Sequence, residues 1–288
     1  MPTHPSWIKV RVPTPTQSAG MAEMRDLLAR HHLETVCQGA QCPNAVECWS
    51  ARTATFMVLG NTCTRGCRFC DVPTGNPGGT VDRQEPQRLA SAVGELGLSY
   101  VVLTSVDRDD LADGGADAFA RVVEAISESA ENTTIEVLMP DFVGRRESLD
   151  RMMATQANVF GHNLETVRRL SPALRDRRAG YGQSLDVLRY LADRSDGRAI
   201  KSGLMVGLGE SLDEIRQAMV DLRIAGVTML TLGQYLQPST TAVAVERFMP
   251  PEEFKILETG AQELGFKAVV AGPLVRSSYH AAAAYTET

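Results

Sequence analysis

Ala54-Thr55-Phe56-Met57-Val58-Leu59-Gly60-Asn61-Thr62-Cys63-Thr64-Arg65-Gly66-Cys67-Arg68-Phe69-Cys70 is the stretch on which the reading of this chain turns. Residues 54–60 form an apolar run closed by glycine and predict a buried strand. Asn61-Thr62 then makes a turn, and Cys63, Cys67 and Cys70 follow as C-x3-C-x2-C. Three soft thiolates therefore stand just beyond the carboxyl end of a strand. In parallel α/β folds reactive groups collect there.

Outward from this loop the chain is rhythmic, with apolar runs alternating with amphipathic segments. Strands are expected at 54–60, 100–105, 134–140, 158–163, 200–207 and 229–236, with a short run at 267–271. Helices are expected near 20–31, 86–97, 116–131, 147–154, 165–171, 184–194, 211–225 and 251–264. Ser211 reads as an N-cap with Glu214 at the capping-box position. Pro251-Glu252-Glu253 opens a helix, since proline suits the first turn and acids suit the positive end of the dipole. Alternation of strands and helices implies parallel pairing through right-handed crossovers. Once the first 53 residues are set aside, the 288-residue chain is short for an eightfold barrel. The expected fold class is α/β, a partial TIM-like barrel. The expected organisation is an N-terminal extension at 1–53, the barrel at 54–250 and a C-terminal extension at 251–288.

Composition narrows the function classes. With 43% hydrophobic and 22% charged residues the chain reads as a soluble globular protein. No window matches a membrane span, and the first residues lack the apolar core of a signal peptide, so the expectation is a cytoplasmic protein with no membrane partner. A net charge of −6 argues against nucleic-acid binding. The six cysteines all lie between Cys37 and Cys70, and the rest of the chain has none. A disulfide scaffold would spread its bridges through a short chain, so this crowding points to metal binding.

Cys37, Cys42 and Cys48 form a second triplet, C-x4-C-x5-C. Structural zinc takes four ligands, usually as C-x2-C pairs, and neither triplet supplies them. A [4Fe–4S] cluster held by three cysteines keeps one iron open. A ligand carrying an amine and a carboxylate can chelate that iron and receive an electron. A zinc loop, or an electron-transfer cluster with a fourth ligand from elsewhere, stands as the alternative.

The loop Cys63-Thr64-Arg65-Gly66-Cys67-Arg68-Phe69-Cys70 resembles that of radical S-adenosylmethionine enzymes. Cys42-Pro43-Asn44-Ala45-Val46-Glu47-Cys48-Trp49 narrows the resemblance to the lipoyl synthase family. Further similar stretches are Thr104-Ser105-Val106-Asp107-Arg108-Asp109-Asp110-Leu111, His162-Asn163-Leu164-Glu165-Thr166, Lys201-Ser202-Gly203-Leu204-Met205-Val206-Gly207-Leu208-Gly209-Glu210, Gly233-Gln234-Tyr235-Leu236-Gln237-Pro238 and Arg276-Ser277-Ser278-Tyr279. The resemblance covers nearly the full chain. It implies a partial (β/α)6 barrel with two [4Fe–4S] clusters and S-adenosylmethionine as cofactors. It implies that the cluster on Cys63, Cys67 and Cys70 cleaves S-adenosylmethionine to a 5′-deoxyadenosyl radical. It further implies that two sulfurs from the auxiliary cluster on Cys37, Cys42 and Cys48 enter an octanoyl chain at C6 and C8. That chain is carried on a lysine of a lipoyl carrier domain or of the glycine-cleavage H protein. An electron donor of ferredoxin or flavodoxin type and an iron–sulfur cluster carrier are implied partners. In the family a serine of the Arg-Ser-Ser-Tyr motif is the fourth auxiliary ligand, which maps to Ser278, with Ser277 as the fallback. An alkoxide is a harder ligand than a thiolate and matches the cluster less well, so one iron can leave when a sulfide is attacked. The sequence departs from the family at Ala242 and Ala244, where a His and often a Pro are usual, and at Gly161, where Asn is usual.

Several single residues are candidates beside these ligands. Phe69 is expected near the adenine, an ordinary core phenylalanine being the alternative. Ser105 and Asp107 follow a strand end and suit the methionyl amine and carboxylate. Asn163 suits a ribose or the carboxylate, and Glu165 either joins it or opens a helix. Lys201 lies in a strand, where burial asks for an anionic partner. Gly207, Gly209 and Glu210 form a Gly-rich turn before a helix. Gln234 is expected to face the barrel interior. Arg276 is expected to orient the serine loop or to contact the substrate amide. Arg175-Asp176-Arg177-Arg178 reads as a solvated face, or as a contact for an acidic carrier domain. The competing functions are a biotin-synthase-like sulfur-inserting enzyme and a non-enzymatic iron–sulfur carrier.

Overall fold

The computed structural model describes residues 5–9, 14–31, 33, 35–36, 42 and 44–286. Cys37 lies outside the described residues. The chain divides into two compact units: Val10–Thr64 with Pro73–Asn158, and Met1–Lys9 with Arg65–Val72 and Val159–Thr288.

The first unit contains α1 (Pro15–Arg30), α2 (Ala45–Ser50), β1 (Thr53–Val58), α3 (Glu85–Leu96), β2 (Tyr100–Ser105), α4 (Ala116–Ser129), β3 (Thr134–Leu138), a 3-10 turn (Phe142–Gly144) and α5 (Arg146–Met153). β1, β2 and β3 pair in parallel in that order, with Thr53 opposite Tyr100 and Tyr100 opposite Thr134. Phe56, Val58, Leu103 and Val137 are fully buried. Their strands read as continuous apolar runs rather than alternating ones because both faces are covered. Leu89 and Val93 of α3, with Phe119, Val122 and Ile126 of α4, are buried and form the apolar stripes of those helices. Gly97 closes α3 in the left-handed conformation, which glycine adopts without a Cβ clash.

The second unit contains β4 (Val159–Gly161), α6 (Ser171–Leu174), α7 (Tyr181–Ala192), β5 (Ala199–Val206), α8 (Leu212–Ile224), β6 (Met229–Gln234), α9 (Pro251–Glu263), β7 (Ala268–Gly272) and α10 (Ala281–Tyr285). β4, β5, β6 and β7 pair in parallel, again in chain order. The Ser211/Glu214 capping box is present at α8, and α9 opens on Pro251 with Glu252 and Glu253.

Three expectations need correction. The first helix begins at Pro15, not near residue 20, because Thr14 and Gln17 form a capping box ahead of it. Residues 165–171 are not a helix. Glu165 has φ +69°, its N–H donates to Gly203 O at 3.0 Å, and its carbonyl accepts from Met205 N–H at 2.8 Å. Pairing with β5 therefore prevails over local helix propensity, and only one turn forms, at Ser171–Leu174. The helix expected from 184 starts three residues earlier, at Tyr181.

Arg108 locks the turn after β1 to the loop after β2. It is almost fully buried, and it donates to Leu59 O at 3.1 Å, to Thr80 O at 2.7 Å and through two nitrogens to Asp110 at 2.8 Å each. Asp110 also accepts from Gly79 N–H. The guanidinium beside it lowers the Asp110 carboxyl from 3.8 to about 2. A lowered folded-state value stabilises above the unfolded value, and that stability is lost as pH falls through the folded one. Allowing for solvent screening, this pair contributes about 1–2 kcal/mol at neutral pH, lost between roughly pH 5 and 2. Urea titrations across that window are expected to show the loss, and Asp110→Asn is expected to flatten it.

Candidate active site

Two cysteines of the C-x3-C-x2-C loop belong to the second unit. Cys67 Sγ accepts from Asp176 N–H at 3.3 Å, and Cys70 Sγ accepts from Val72 N–H at 3.5 Å. Burial pushes the Cys67 thiol up to about 11; the Asp176 N–H and Arg175 oppose this, while Glu165 and Cys70 add to it. Burial also raises Cys70, although that residue keeps an exposed face. In the metal-free protein both are neutral thiols at pH 7, so a metal must displace their protons to bind. Cys63 lies in the first unit. Its N–H donates to Pro73 O and its carbonyl accepts from Gly75 N–H, both at 2.9 Å, while its Sγ faces Asp107 Oδ2 at 3.9 Å. The Asp107 carbonyl accepts from both the N–H and the hydroxyl of Thr64 at 3.0 Å. Asp107 is thus a support of the cysteine loop.

Phe69 packs half-buried against Leu174, Leu208 and Tyr235. Next to this apolar wall is a polar group in which Asn163 and Glu165 are half-buried and Arg175 is buried. Asn163 hydrogen-bonds Glu165, whose carboxyl is raised by burial and lowered in turn by Arg175 and Asn163. Arg175 is 8% exposed. Its Nη1 donates to Ser184 Oγ at 2.9 Å and to Leu164 O at 3.3 Å, and its Nε has no hydrogen-bond partner. Lys201 is buried in β5.

Two candidates are engaged by the backbone around them. Glu210 accepts from the N–H groups of Gly207 and Leu208 and so holds its own turn. Gln234, at the end of β6, donates to Tyr235 O and Arg247 O at 3.0 Å each and accepts from Met249 N–H at 2.8 Å. Arg276 donates to Val275 O at 2.7 Å and to Gln234 O at 3.3 Å. Ser277 and Ser278 lie half-buried between β7 and α10. In the first unit, Ser105 closes β2 with a buried Oγ that has no hydrogen-bond partner. Cys48 sits on α2 and Cys42 lies just before it; both are half-buried.

The run Arg175-Asp176-Arg177-Arg178 is not a solvated face. Arg175 is interior, and Asp176 accepts from Gly66 N–H at 3.1 Å while Arg178 holds its carboxyl far below the usual range. Sequence reasoning missed both residues because four charges in a row resemble surface. The one signal was the apolar run Ser171–Leu174 leading into them.

The donor set fits iron–sulfur chemistry. The five described cysteines are free thiols, and two sulfurs already receive backbone N–H groups, as ligand sulfurs of such clusters do. Among the described residues, no three His, Cys, Asp or Glu side chains are already gathered closely enough to hold a metal ion. The fit therefore rests on donor chemistry. The orphaned Ser105 Oγ and Arg175 Nε are donors suited to a polar ligand, since buried polar atoms are rarely left unpaired.

Residues 57–222 match the radical SAM superfamily. The chain is 52% identical to the lipoyl synthase of Thermus thermophilus over 98% of its own length and 87% of that protein. It is 53% identical to the lipoyl synthase of Halorhodospira halophila, over 96% of this chain and 82% of that one. For Pyrobaculum calidifontis the identity is 50%, with 98% and 96% covered. Among solved structures, methylornithine synthase superposes with a TM-score of 0.58 at 16% identity, covering 86% of this chain and 74% of that one. The hydrogenase maturase HydG of Carboxydothermus hydrogenoformans gives 0.60 at 12%, covering 94% and 69%. These two bear on fold alone, and with the seven parallel strands they support the α/β, TIM-like class read from the sequence. At half-identity along nearly its whole length, the chain belongs to the lipoyl synthase family of the radical SAM superfamily.

Proposed function

We infer that this chain inserts two sulfur atoms, at C6 and C8, into a protein-bound octanoyl-lysine. The observation that carries this is identity at half of all positions with lipoyl synthases, over a span that includes both cysteine triplets. Cys63, Cys67 and Cys70 would hold the cluster that, when bound, supplies the electron for cleaving S-adenosylmethionine to methionine and a 5′-deoxyadenosyl radical. In the second unit, Glu165 and Asn163 suit the α-ammonium group and the unpaired Arg175 Nε suits the α-carboxylate. The Phe69 wall of the same unit suits the adenine. In the first unit, the unpaired Ser105 Oγ suits a methionyl amine or carboxylate. Lys201, buried in β5, would pair with a ligand carboxylate. Glu210 and Gln234 shape the backbone at the ends of β5 and β6 rather than touching the ligand.

Cys37, Cys42 and Cys48 with Ser278, or Ser277 in its place, would hold the second cluster, which is a substrate because its sulfide enters the product. Arg276 would brace that serine's loop. The acceptor is a lipoyl carrier domain or an H protein. Electrons come from a donor of ferredoxin or flavodoxin type, and an iron–sulfur carrier renews the consumed cluster. Among the described residues no helix is long and apolar enough to cross a membrane.

Anaerobic incubation of reconstituted protein with reductant, S-adenosylmethionine and an octanoyl-lysine peptide is expected to yield the dithiolated product by mass. Absence of 5′-deoxyadenosine would refute the radical reading, and its formation without sulfur insertion would point to another substrate. Within the same assay, Arg175→Leu is expected to raise the KM for S-adenosylmethionine about 10–100-fold, the worth of a charge-assisted hydrogen bond. Iron content should stay at the parent level, and Arg175→Lys should recover part of the loss.

A further inference from the structure

We propose that Asp176 is a positioning residue for the cysteine loop and governs how readily the cluster held there accepts an electron. The inference rests on the functional reading above. Residues 66–69 lie outside any helix or strand. They are held from one side by the segment at the end of α6. Arg68 N–H donates to Leu174 O at 2.8 Å, and Arg68 Nη1 reaches Ala173 O at 3.4 Å. Asp176 completes the strap from both directions. Its carboxylate accepts from Gly66 N–H at 3.1 Å, and its own N–H donates to Cys67 Sγ at 3.3 Å. One residue thus grips the amide before Cys67 and the sulfur of Cys67 itself.

Asp176 is in turn pinned. Its Oδ1 accepts from Arg178 N–H at 3.0 Å and from Arg178 Nε at 2.8 Å, while Oδ2 accepts from Nη2 at 3.2 Å. Ala179 N–H donates to the Asp176 carbonyl at 2.8 Å. The carboxylate therefore fixes the turn that aims its own N–H. An N–H dipole aimed at a ligand sulfur stabilises the added negative charge of a reduced cluster and raises its potential. Without the carboxylate, the turn and the Gly66 amide lose their common acceptor, and the N–H···S contact loses its aim.

The test uses reconstituted full-length protein and the variants Asp176→Ala and Asp176→Asn. The readout is the EPR signal of the reduced cluster that responds to S-adenosylmethionine, followed during a redox titration. Asp176→Ala is expected to shift the one-electron reduction equilibrium about tenfold toward the oxidised form, which is 59 mV. Asp176→Asn keeps one acceptor oxygen and should shift it less. In metal-free Asp176→Ala, hydrogen exchange at the Gly66 amide should accelerate at least about tenfold, since the carboxylate that accepts from it is removed. A parental potential, with or without faster exchange, would overturn the proposal, as would unchanged exchange. A purely structural role would lower the melting temperature and cluster content while leaving the potential in place. If Asp176→Ala does not load a cluster, the Asn variant carries the potential measurement by itself. Failure of the parent protein to cleave S-adenosylmethionine would count against the functional reading, whereas the exchange experiment on metal-free protein still tests the strap.

Discussion

Cys67→Ala is expected to reduce 5′-deoxyadenosine formation to the level of a protein-free control while leaving the melting temperature nearly unchanged. The reason is where Cys67 sits. It is half-buried in a loop, outside the apolar cores of either unit, so its sulfur contributes little packing. As one of three thiolate donors, however, it is irreplaceable by a methyl group. Losing a residue that supports a metal ligand typically costs 10–100-fold, so losing a ligand itself should exceed about a thousandfold. Chromatography of the nucleoside product, with iron analysis on the same sample, measures it. Cleavage within about tenfold of the parent would remove Cys67 from the ligand set. The same outcome is expected for Cys63 and Cys70.

The second large effect is on stability. Gly207 follows β5 at φ +98°, and a Cβ there would lie 2.1 Å from Gln234 Nε2 and 2.4 Å from Arg247 O. Neither neighbour can yield cheaply. Arg247 O is backbone, and the Gln234 amide is buried with all its bonds to the main chain. Gly207→Ala therefore combines a left-handed residue, an overpacked site and a displaced buried amide. Together these are expected to cost roughly 3–5 kcal/mol. That corresponds to a melting temperature lower by about 10 °C. Gly197→Ala is the control: its φ is +85° with open space around the added carbon, so it should cost only about 1 kcal/mol. Equal losses in the two variants would show that Gln234 is not the brace it looks to be.

Gln234 also shows where the sequence stopped informing. Its place on a strand, facing the interior, was legible, though the strand ends at Gln234 rather than at residue 236. That its amide would be taken up by Tyr235, Arg247 and Met249 was not, because those partners belong to an irregular segment whose path no periodicity encodes. Glu210 is alike: a Gly-rich turn before a helix was visible, but not that the carboxylate closes that turn. Glu165 went further astray. Local pattern favoured a helix there, and two hydrogen bonds tie it to β5 with a left-handed backbone instead.

By itself the sequence determined the chemistry and the frame. Cys63, Cys67 and Cys70 directly after an apolar run, with a second cysteine triplet upstream, defined the donor set, because ligand type and short spacing are properties of the chain. The strand–helix alternation defined parallel β-structure, because apolar runs and the 3.6-residue period of amphipathic helices are also local. Only the tertiary structure decided which charges serve the loop. Arg175 and Asp176 look like surface in a run of four charged residues, yet one is buried with an unpaired Nε and the other grips Gly66 and Cys67. More than a hundred residues separate Asp176 from the loop it holds. Contacts at such separation depend on how whole strands and helices pack, and no local pattern of residues records them.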